Sequence, residues 1–341
     1  MWLISMDYKK WIKIIGTLLL VGACEQQYPA LQRLQGYALG TSYAISYDSE
    51  SIQPPQMERA VDSLIGVLNQ SLSTYIPTSD ISKINRGDSL LVVDQHFINV
   101  YKAASNVWLA SNGYFDPTVG ALVNAYGFGP GKALKSVSQK QVDSLLLITG
   151  WNKTRLTEKN TLVKTSPNVF FDFNALAKGY AVDVIANHLR TLNISSFLVE
   201  IGGEIVAQGK SPKSRKFWKI AIDDPQQDEN RQFIQVITLN NRALATSGNY
   251  RKYNIDAVTG QRIAHSINPK NGKAIPTPIL SASVIAPDCM TADAYATALM
   301  VMPLEASLKL IEERNDLEAY WIVADSLKGV KEIFSKGFPK E

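Results

Sequence analysis

Residues 172–183 read DFNALAKGYAVD and join a short apolar run to a segment with helical spacing. The apolar run at 169–171 has the composition of a strand, and the spacing predicts a helix from 174 to 192. A helix N-terminus here would offer free N–H groups and positive potential to a phosphate, and Lys178 would add a charge. The alternative is ordinary capping by Asp172 or Asn174 with Lys178 on a solvated face, and spacing alone favours it.

Residues 291–297 read TADAYAT and place polar side chains within a largely apolar segment. Asp293 and Thr297 are four positions apart, so on a helix both side chains project from the same face. A carboxylate and a hydroxyl are hard oxygen ligands of the kind that suit magnesium. The alternative is structural: Asp293 would stabilise the first helical turn, and Thr297 would bond back to a carbonyl.

Two loops contain further candidate residues. Residues 113–120, GYFDPTVG, combine aromatic rings with backbone freedom, which a stacked heterocycle would need. The same loop could be a structural lid with its aromatic rings folded inward. Residues 265–272, HSINPKNG, contain two turn signals beside His265, and a lone histidine there is more often structural than catalytic. Within a predicted strand, Gly202-Gly203-Glu204 indicates a bulge or a close backbone approach.

Strand and helix patterns alternate without a regular βαβ rhythm, which favours an α+β fold forming one compact catalytic unit with two lobes. Period-two alternation from Tyr37 to Tyr47 predicts one strand, and helical spacing recurs at 57–68 and 97–108. Further strands are expected at 197–208, 217–222, 233–239, 281–286 and 319–324, and further helices at 291–302 and after Pro303.

The composition excludes several classes of protein. The chain has 341 residues, of which 45% are hydrophobic and 19% charged, as in a globular protein with a large core. No run of Lys and Arg is interleaved with aromatic residues, so no nucleic-acid-binding surface is expected. The three histidines and two cysteines form no pair with metal-ligand spacing, which argues against a zinc or copper enzyme. P-loop, Rossmann and nucleophile-elbow motifs are also missing from the sequence.

The N-terminus has the form of an export signal. Three lysines precede the apolar run at 14–21, which is too short to span a bilayer comfortably, and the run ends in VGAC at 21–24. This ending resembles a lipobox, so we expect a signal peptide at 1–23, lipidation of Cys24 and a polar tether over 24–35. The alternative is an uncleaved anchor helix. Both interpretations place the rest of the chain outside the cytoplasm, and a lipidated Cys24 leaves Cys289 without a disulfide partner.

Eight segments, taken in order, resemble the ApbE family of FAD:protein FMN transferases. They extend from about residue 36 to about residue 302, which is nearly all of the chain after the signal peptide. The segments are residues 39–41, 73–75 with 79–85, 115–120, 172–183, 200–204, 246–251, 265–272 and 291–297.

The resemblance implies a flavin transferase domain at 36–341 in which one lobe is T-fold-like, FAD lies in a cleft and magnesium binds at the FAD diphosphate. Magnesium ligands are then expected at Asp293, Thr297 and the backbone carbonyl of Ala175. Leu39 stands where Met is commoner in such proteins. The expected FAD contacts are Leu39, Tyr75, Tyr114, Phe115, Asp116, Asp172, Lys178 and Ile267.

The implied reaction transfers FMN to a Thr or Ser hydroxyl of an acceptor protein and releases AMP, with magnesium and Lys178 offsetting the diphosphate charge. Either Asp293 or His265 would accept the hydroxyl proton; a magnesium-bound Asp293 would favour His265. The expected acceptors are exported flavoprotein subunits of sodium-pumping NADH:quinone reductase or Rnf-type complexes, which the lipid anchor would bring near the enzyme.

Two other activities remain open at this stage. An FAD pyrophosphatase would use water as the nucleophile in the same site. A non-catalytic FAD-binding lipoprotein would not need Asp293, Thr297 and Lys178 at the diphosphate, so these residues speak against it. Residues 256–260, DAVTG, partly match the motif expected in acceptor proteins, but the match ends at Gln261, and we interpret them as a hairpin turn.

Overall fold

An antiparallel sheet of eight strands organises the protein. The computed structural model describes residues 31–224, 233–249, 253–274, 277–325 and 329–340. Strand order in the main sheet is β1-β2-β5-β6-β9-β12-β13-β14. The strands, numbered along the chain, are β1 (Leu31–Ala38), β2 (Thr41–Asp48), β3 (Thr154–Leu156), β4 (Leu162–Lys164), β5 (Phe197–Ile201), β6 (Glu204–Gln208), β7 (Trp218–Asp223), β8 (Phe233–Leu239), β9 (Ala243–Gly248), β10 (Tyr253–Ile255), β11 (Arg262–Ala264), β12 (Ile279–Ala286), β13 (Glu318–Asp325) and β14 (Gly329–Phe334).

Most of the helices pack on one face of this sheet, whereas those at 120–125 and 139–146 contribute to a separate small cluster. They are α1 (Pro54–Leu72), α2 (Asp80–Asn85), α3 (Gln95–Ala110), α4 (Gly120–Ala125), α5 (Gln139–Leu146), α6 (Asn174–Thr191), α7 (Cys289–Val301) and α8 (Leu304–Glu312). Helix α7 packs against α6 on one side and against β9 and β12 on the other. Alanines at 292, 294, 296 and 298 are fully buried in α7, and their small size lets this helix lie between α6 and the sheet.

Alternating side chains divide the interior into two cores. Trp321 of β13 belongs to the larger core beneath the helices, and its neighbour Tyr320 belongs to a smaller core on the other face. This alternation follows from the two-residue period of a strand. The β7–β8 hairpin covers the smaller core with Trp218 and Ile237. The expected α+β class, formed as a single unit, is confirmed.

Two predicted strands are hairpins instead. The strand expected from Tyr37 to Tyr47 is β1 and β2, joined at Leu39 (φ 53°) and Gly40 (φ 75°). The run 197–208 is β5 and β6, which turn at Gly202 and Gly203. Facing partners across a two-residue turn, such as Ala38 and Thr41, have opposite parity. The inward positions are therefore even-numbered in β1 and odd-numbered in β2, and Tyr37, which continues the odd-numbered pattern of β2 in the sequence, is exposed.

Other boundaries also differ. Because β1 begins at Leu31, residues 31–35 pair with β2 and do not belong to the expected tether. The run 169–171 is not a strand: Phe170 makes a single bridge to Val119. The side chain of Asn85 accepts from the N–H of Phe171 at 2.7 Å and donates to its carbonyl at 2.9 Å, taking the place of a neighbouring strand. The long helices are confirmed; 174–192, for example, is Asn174–Thr191.

The N-terminal predictions lie beyond what the structure describes. The signal peptide at 1–23, Cys24 and the tether up to residue 30 are outside the described residues, as are Tyr250 and Arg251 of the 246–251 segment. Within the described ranges, no helix combines the length and apolarity needed to cross a membrane.

Candidate functional site

Helices α6 and α7 touch at Gly179, and this contact positions Asp293. The N–H of Gly179 donates to Oδ2 of Asp293 at 3.0 Å. A Cβ on Gly179 would lie 2.3 Å from the carbonyl oxygen of Cys289 and 2.9 Å from Cβ of Asp293. The backbones can therefore approach this closely only because residue 179 has no side chain.

The expected metal ligands lie on the two helices that meet at Gly179. The N–H of Gly179 donates to Asp293, and Ala175 lies four residues, about one turn, earlier in α6. Thr297 lies one turn further along α7, with Oγ1 3.3 Å from Oγ of Ser247 in β9. The three oxygen donors thus come from two helices in contact, and metal binding by them stays a prediction.

A buried charge cluster surrounds Asp293. Lys178 donates to Oε1 of Glu204, at the start of β6, and Glu204 is only 3% exposed. Burial opposes the charge on Lys178, but the carboxylates of Glu204 and Asp293 outweigh it and raise the pKa of the ammonium. Burial, and to a lesser extent Glu204, raises the pKa of Asp293 to about 7, against the opposing effect of Lys178. This cluster therefore holds more negative than positive charge.

Two further carboxylates hold the first turn of α7. Asp183 of α6 accepts the N–H groups of Cys289 and Met290, each at 2.8 Å. Asp288 caps the same helix by accepting the N–H of Thr291 at 2.8 Å. Burial raises the pKa of Asp183 to about 7, although its two backbone hydrogen bonds favour the ionised form. These contacts fix α7, and with it Asp293, relative to α6.

Aromatic loops lie at the other end of the expected FAD contacts. The hydroxyl of Tyr75 donates to the carbonyl of Phe128 at 3.3 Å, and Phe128 meets His265 edge to face with ring centroids 6.3 Å apart. Lys270 lies over the ring of Tyr114 at 4.3 Å from its centroid. Three segments that are far apart in sequence therefore meet through these contacts, and we call Tyr75, Tyr114, Phe128 and His265 the aromatic surface.

The start of α6 connects this surface to the charge cluster. Asp172 donates its N–H to the carbonyl of Pro117 in the aromatic loop at 2.7 Å, and its carboxylate accepts the N–H of Asn174 at 2.8 Å. Burial, and then the negative charge of Asp172, raises the pKa of the Tyr75 hydroxyl. Six residues after Asp172, Lys178 reaches Glu204. Of the capping alternative, only the contact of the Asp172 carboxylate with the N–H of Asn174 is present. The N-cap of α6 is Phe173, without a side-chain cap, and Lys178 contacts Glu204. Binding of a ligand by residues 172–179 stays a prediction.

Some expected FAD contacts point inward. Phe115 is 2% exposed and belongs to the large core. Oδ1 of Asp116 accepts the N–H and hydroxyl of Thr118, and Oδ2 accepts the N–H of Trp151 at 2.8 Å. These side chains therefore hold the loop in shape, which is the structural interpretation considered for it. Their contact with FAD stays a prediction.

Of the two aliphatic residues expected to contact FAD, Leu39 lies in the β1–β2 turn and Ile267 lies in a small buried cluster. Leu39 has a positive φ, which is uncommon for a residue with a branched side chain and occurs often at functional sites. It packs against the large core. Ile267 is buried in a small apolar cluster with Leu122 and Ala274. A cavity of about 460 Å³ lies near it, lined by Tyr114, Asn268, Thr277, Pro278, Ile279, Val301, Met302, Pro303, Leu304 and Glu305.

Residues 256–260 form the expected hairpin turn. Strands β10 and β11 pair on either side of it, and Oδ1 of Asp256 accepts the N–H groups of Val258 and Thr259. The partial match to an acceptor motif is therefore explained by turn chemistry.

Sequence reasoning missed Glu204, Gly179 and Asp183 as parts of the site. All three lie within segments that were singled out, but their roles depend on contacts across the fold.

In the described part of the chain, no three His, Cys, Asp or Glu residues lie close enough together to hold a metal ion. Magnesium usually takes one or two carboxylates and completes its shell with waters and substrate phosphates, so Asp293, a hydroxyl and a carbonyl fit such a site.

The model of the ApbE family matches residues 39–321 of this chain. A FAD:protein FMN transferase of Vibrio cholerae is 35% identical over 340 residues, covering 97% of this chain and 98% of that protein. One from Haemophilus influenzae is 34% identical over 319 residues, covering 91% of each. The structure of the flavin transferase ApbE from Vibrio cholerae has a TM-score of 0.81 at 32% identity, covering 91% of this chain and 99% of that one. The apo form of Pseudomonas stutzeri flavinyl transferase ApbE gives 0.80 at 29% identity, covering 91% and 96%.

Proposed function

This chain belongs to the ApbE family, and from that premise we propose that it is a magnesium-dependent FAD:protein FMN transferase. The observation that best supports the proposal is the path from Asp172 to Gly179. It begins at the aromatic surface and ends at the buried cluster of Lys178, Glu204 and Asp293. A dinucleotide needs both an apolar surface for its rings and a charged site for its diphosphate, and this short helix start provides a link between them.

Different residues have different roles in the proposed reaction. Magnesium bound by Asp293, Thr297 and the Ala175 carbonyl would offset charge on the FAD diphosphate and orient it. Lys178 adds positive charge, and Tyr75 and Tyr114 present rings to the flavin or adenine.

In the transfer step, a Thr or Ser hydroxyl oxygen of the acceptor attacks the FMN phosphorus. A phosphoester bond forms, the bond between the two phosphates breaks, and AMP leaves. His265 receives the hydroxyl proton, because Asp293 is held by Gly179 and assigned to the metal.

The proposed setting is outside the cytoplasm. The N-terminal signal and Cys24 support an exported lipoprotein attached to the bacterial membrane. Exported flavoprotein subunits of sodium-pumping NADH:quinone reductase or Rnf-type complexes are the proposed acceptors. Mass spectrometry of the mature N-terminus tests this placement; an unmodified Cys24 in protein from its native membrane would contradict it.

Mass spectrometry of a motif-bearing acceptor domain tests the reaction. The acceptor is incubated with residues 25–341, FAD and magnesium, and we expect a mass gain equal to FMN. The gain should disappear with EDTA and with an acceptor whose target Thr is changed to Ala. Release of FMN and AMP with an unmodified acceptor would instead show a pyrophosphatase, and intact FAD would indicate a binding protein.

A further inference from the structure

Glu204 has one carboxylate oxygen that the fold does not use. Its side chain is 4% exposed, and Oε1 receives the ammonium of Lys178. Oε2 is buried and, within the described part of the chain, has no hydrogen-bond partner. A buried acceptor without a donor destabilises the fold, so a purely structural role for this Glu is unfavourable.

The position of Lys178 is also informative. Its ammonium donates to Glu204, whereas Asp293 receives the N–H of Gly179. Because Gly179 directly follows Lys178, Asp293 also lies close to the lysine, and its charge helps to raise the pKa of the ammonium. Two carboxylates thus share the neighbourhood of one lysine, and only Glu204 has it as a direct partner.

We propose that Glu204 is a positioning residue that holds the Lys178 ammonium away from Asp293 and so keeps the Asp293 carboxylate available to a divalent cation. The inference rests on the proposed magnesium site. Lys178 and a metal ion are both cations and would compete for Asp293 if Glu204 did not hold the lysine. Glu204 also adds one negative charge to the cluster, which favours a divalent ion over an empty site.

Manganese binding to the full chain, purified without FAD, tests this role without depending on catalysis. Electron paramagnetic resonance measures the free Mn²⁺ at equilibrium. We expect Glu204→Gln, which keeps the side-chain shape, to weaken Mn²⁺ binding about tenfold or more, since a unit charge close to a divalent ion has a large effect in a protein interior.

Glu200→Gln is the matched control. Glu200 lies in the same turn and accepts the N–H of Gly203 at 2.7 Å, a bond that the glutamine oxygen can retain. This variant loses the same charge without losing a contact to Lys178. Its Mn²⁺ affinity should stay within about twofold of the unaltered protein.

The decisive variant is Glu204→Gln combined with Lys178→Met. Removing the competing ammonium should restore most of the Mn²⁺ affinity, and a merely structural role for Glu204 would predict no such rescue. Lys178→Met alone should bind Mn²⁺ at least as tightly as the unaltered protein, which keeps the test valid if a Glu204 variant fails to fold.

An unchanged affinity in Glu204→Gln, no rescue in the double variant, or weaker binding by Lys178→Met alone would each overturn the inference. If the unaltered protein binds no Mn²⁺, the proposed metal site fails together with it. If it binds Mn²⁺ but the variants do not behave as described, only the role of Glu204 is wrong.

Discussion

Replacing Gly179 with Ala should push the backbones of α6 and α7 apart and so displace the residues of the candidate site. The added Cβ would lie 2.3 Å from the carbonyl oxygen of Cys289, where ordinary contacts begin at 3.4 Å. Helices α6 and α7 would have to separate by about 1 Å. Such overpacking costs about 1–3 kcal/mol, and the better helix propensity of alanine offsets at most about 1 kcal/mol of it. The same shift would carry Asp293 away from Ala175, and a misplacement of this size can lower a rate about a hundredfold.

Urea unfolding and FMN transfer to an acceptor domain measure the two effects. Gly66→Ala is the matched control, because Gly66 lies in the exposed middle of α1 and an added Cβ there meets nothing within 4 Å. That change should stabilise the protein slightly and leave transfer unaffected. A Gly179→Ala protein with normal stability and normal transfer would refute the close approach of α6 and α7 as the element that positions Asp293.

Three further changes probe other parts of the site. Asp293→Ala should abolish magnesium-dependent transfer while circular dichroism shows a folded protein; retained activity with magnesium would remove Asp293 from the metal site. Asp116→Asn loses an acceptor for buried N–H groups, including that of Trp151, so thermal unfolding should show a loss of about 1–3 kcal/mol. Its FAD affinity should change less than its stability; the reverse result would favour direct FAD contact. The folded-state pKa of Asp183, about 7, lies above its ordinary value, so the folded state binds the proton more tightly and stability should fall from about pH 4 to pH 7. Asp183→Asn cannot titrate and should remove part of that fall in urea titrations with EDTA.

The long helices were predictable because their pattern is local. The apolar positions of 97–108 and 174–192 repeat at helical spacing, and the structure has helices at Gln95–Ala110 and Asn174–Thr191. The hairpin at Leu39 was not predictable in the same way. Tyr37 and Leu39 continue the odd-numbered apolar pattern of β2, although the turn moves the inward face of β1 to even-numbered positions. Leu rarely adopts a positive φ, so within this turn only Gly40 indicated the reversal.

The same difference between local patterns and contacts distant in sequence applies to the candidate site. The segments that carry Lys178 and Asp293 could be selected from their residue types and from the family resemblance. Their partners could not, because the bond from Lys178 to Glu204 spans 26 residues and that from Gly179 to Asp293 spans 114. Residue type also does not reveal that the Asp116 carboxylate accepts three internal hydrogen bonds; its contact with FAD stays a prediction.

If Cys24 is lipidated, as proposed, the early start of β1 limits how far the enzyme can work from a membrane. Only seven peptide units separate Cys24 from Leu31, and a chain of that length reaches at most about 25 Å. Strand β1 then runs to the turn at Leu39, a further distance of roughly 27 Å. If Cys24 carries lipid, as proposed, the Leu39 end of the site stays within about 50 Å of the bilayer surface. An acceptor must therefore present its hydroxyl inside that layer, and lengthening the segment before Leu31 should extend modification to acceptors fixed further away.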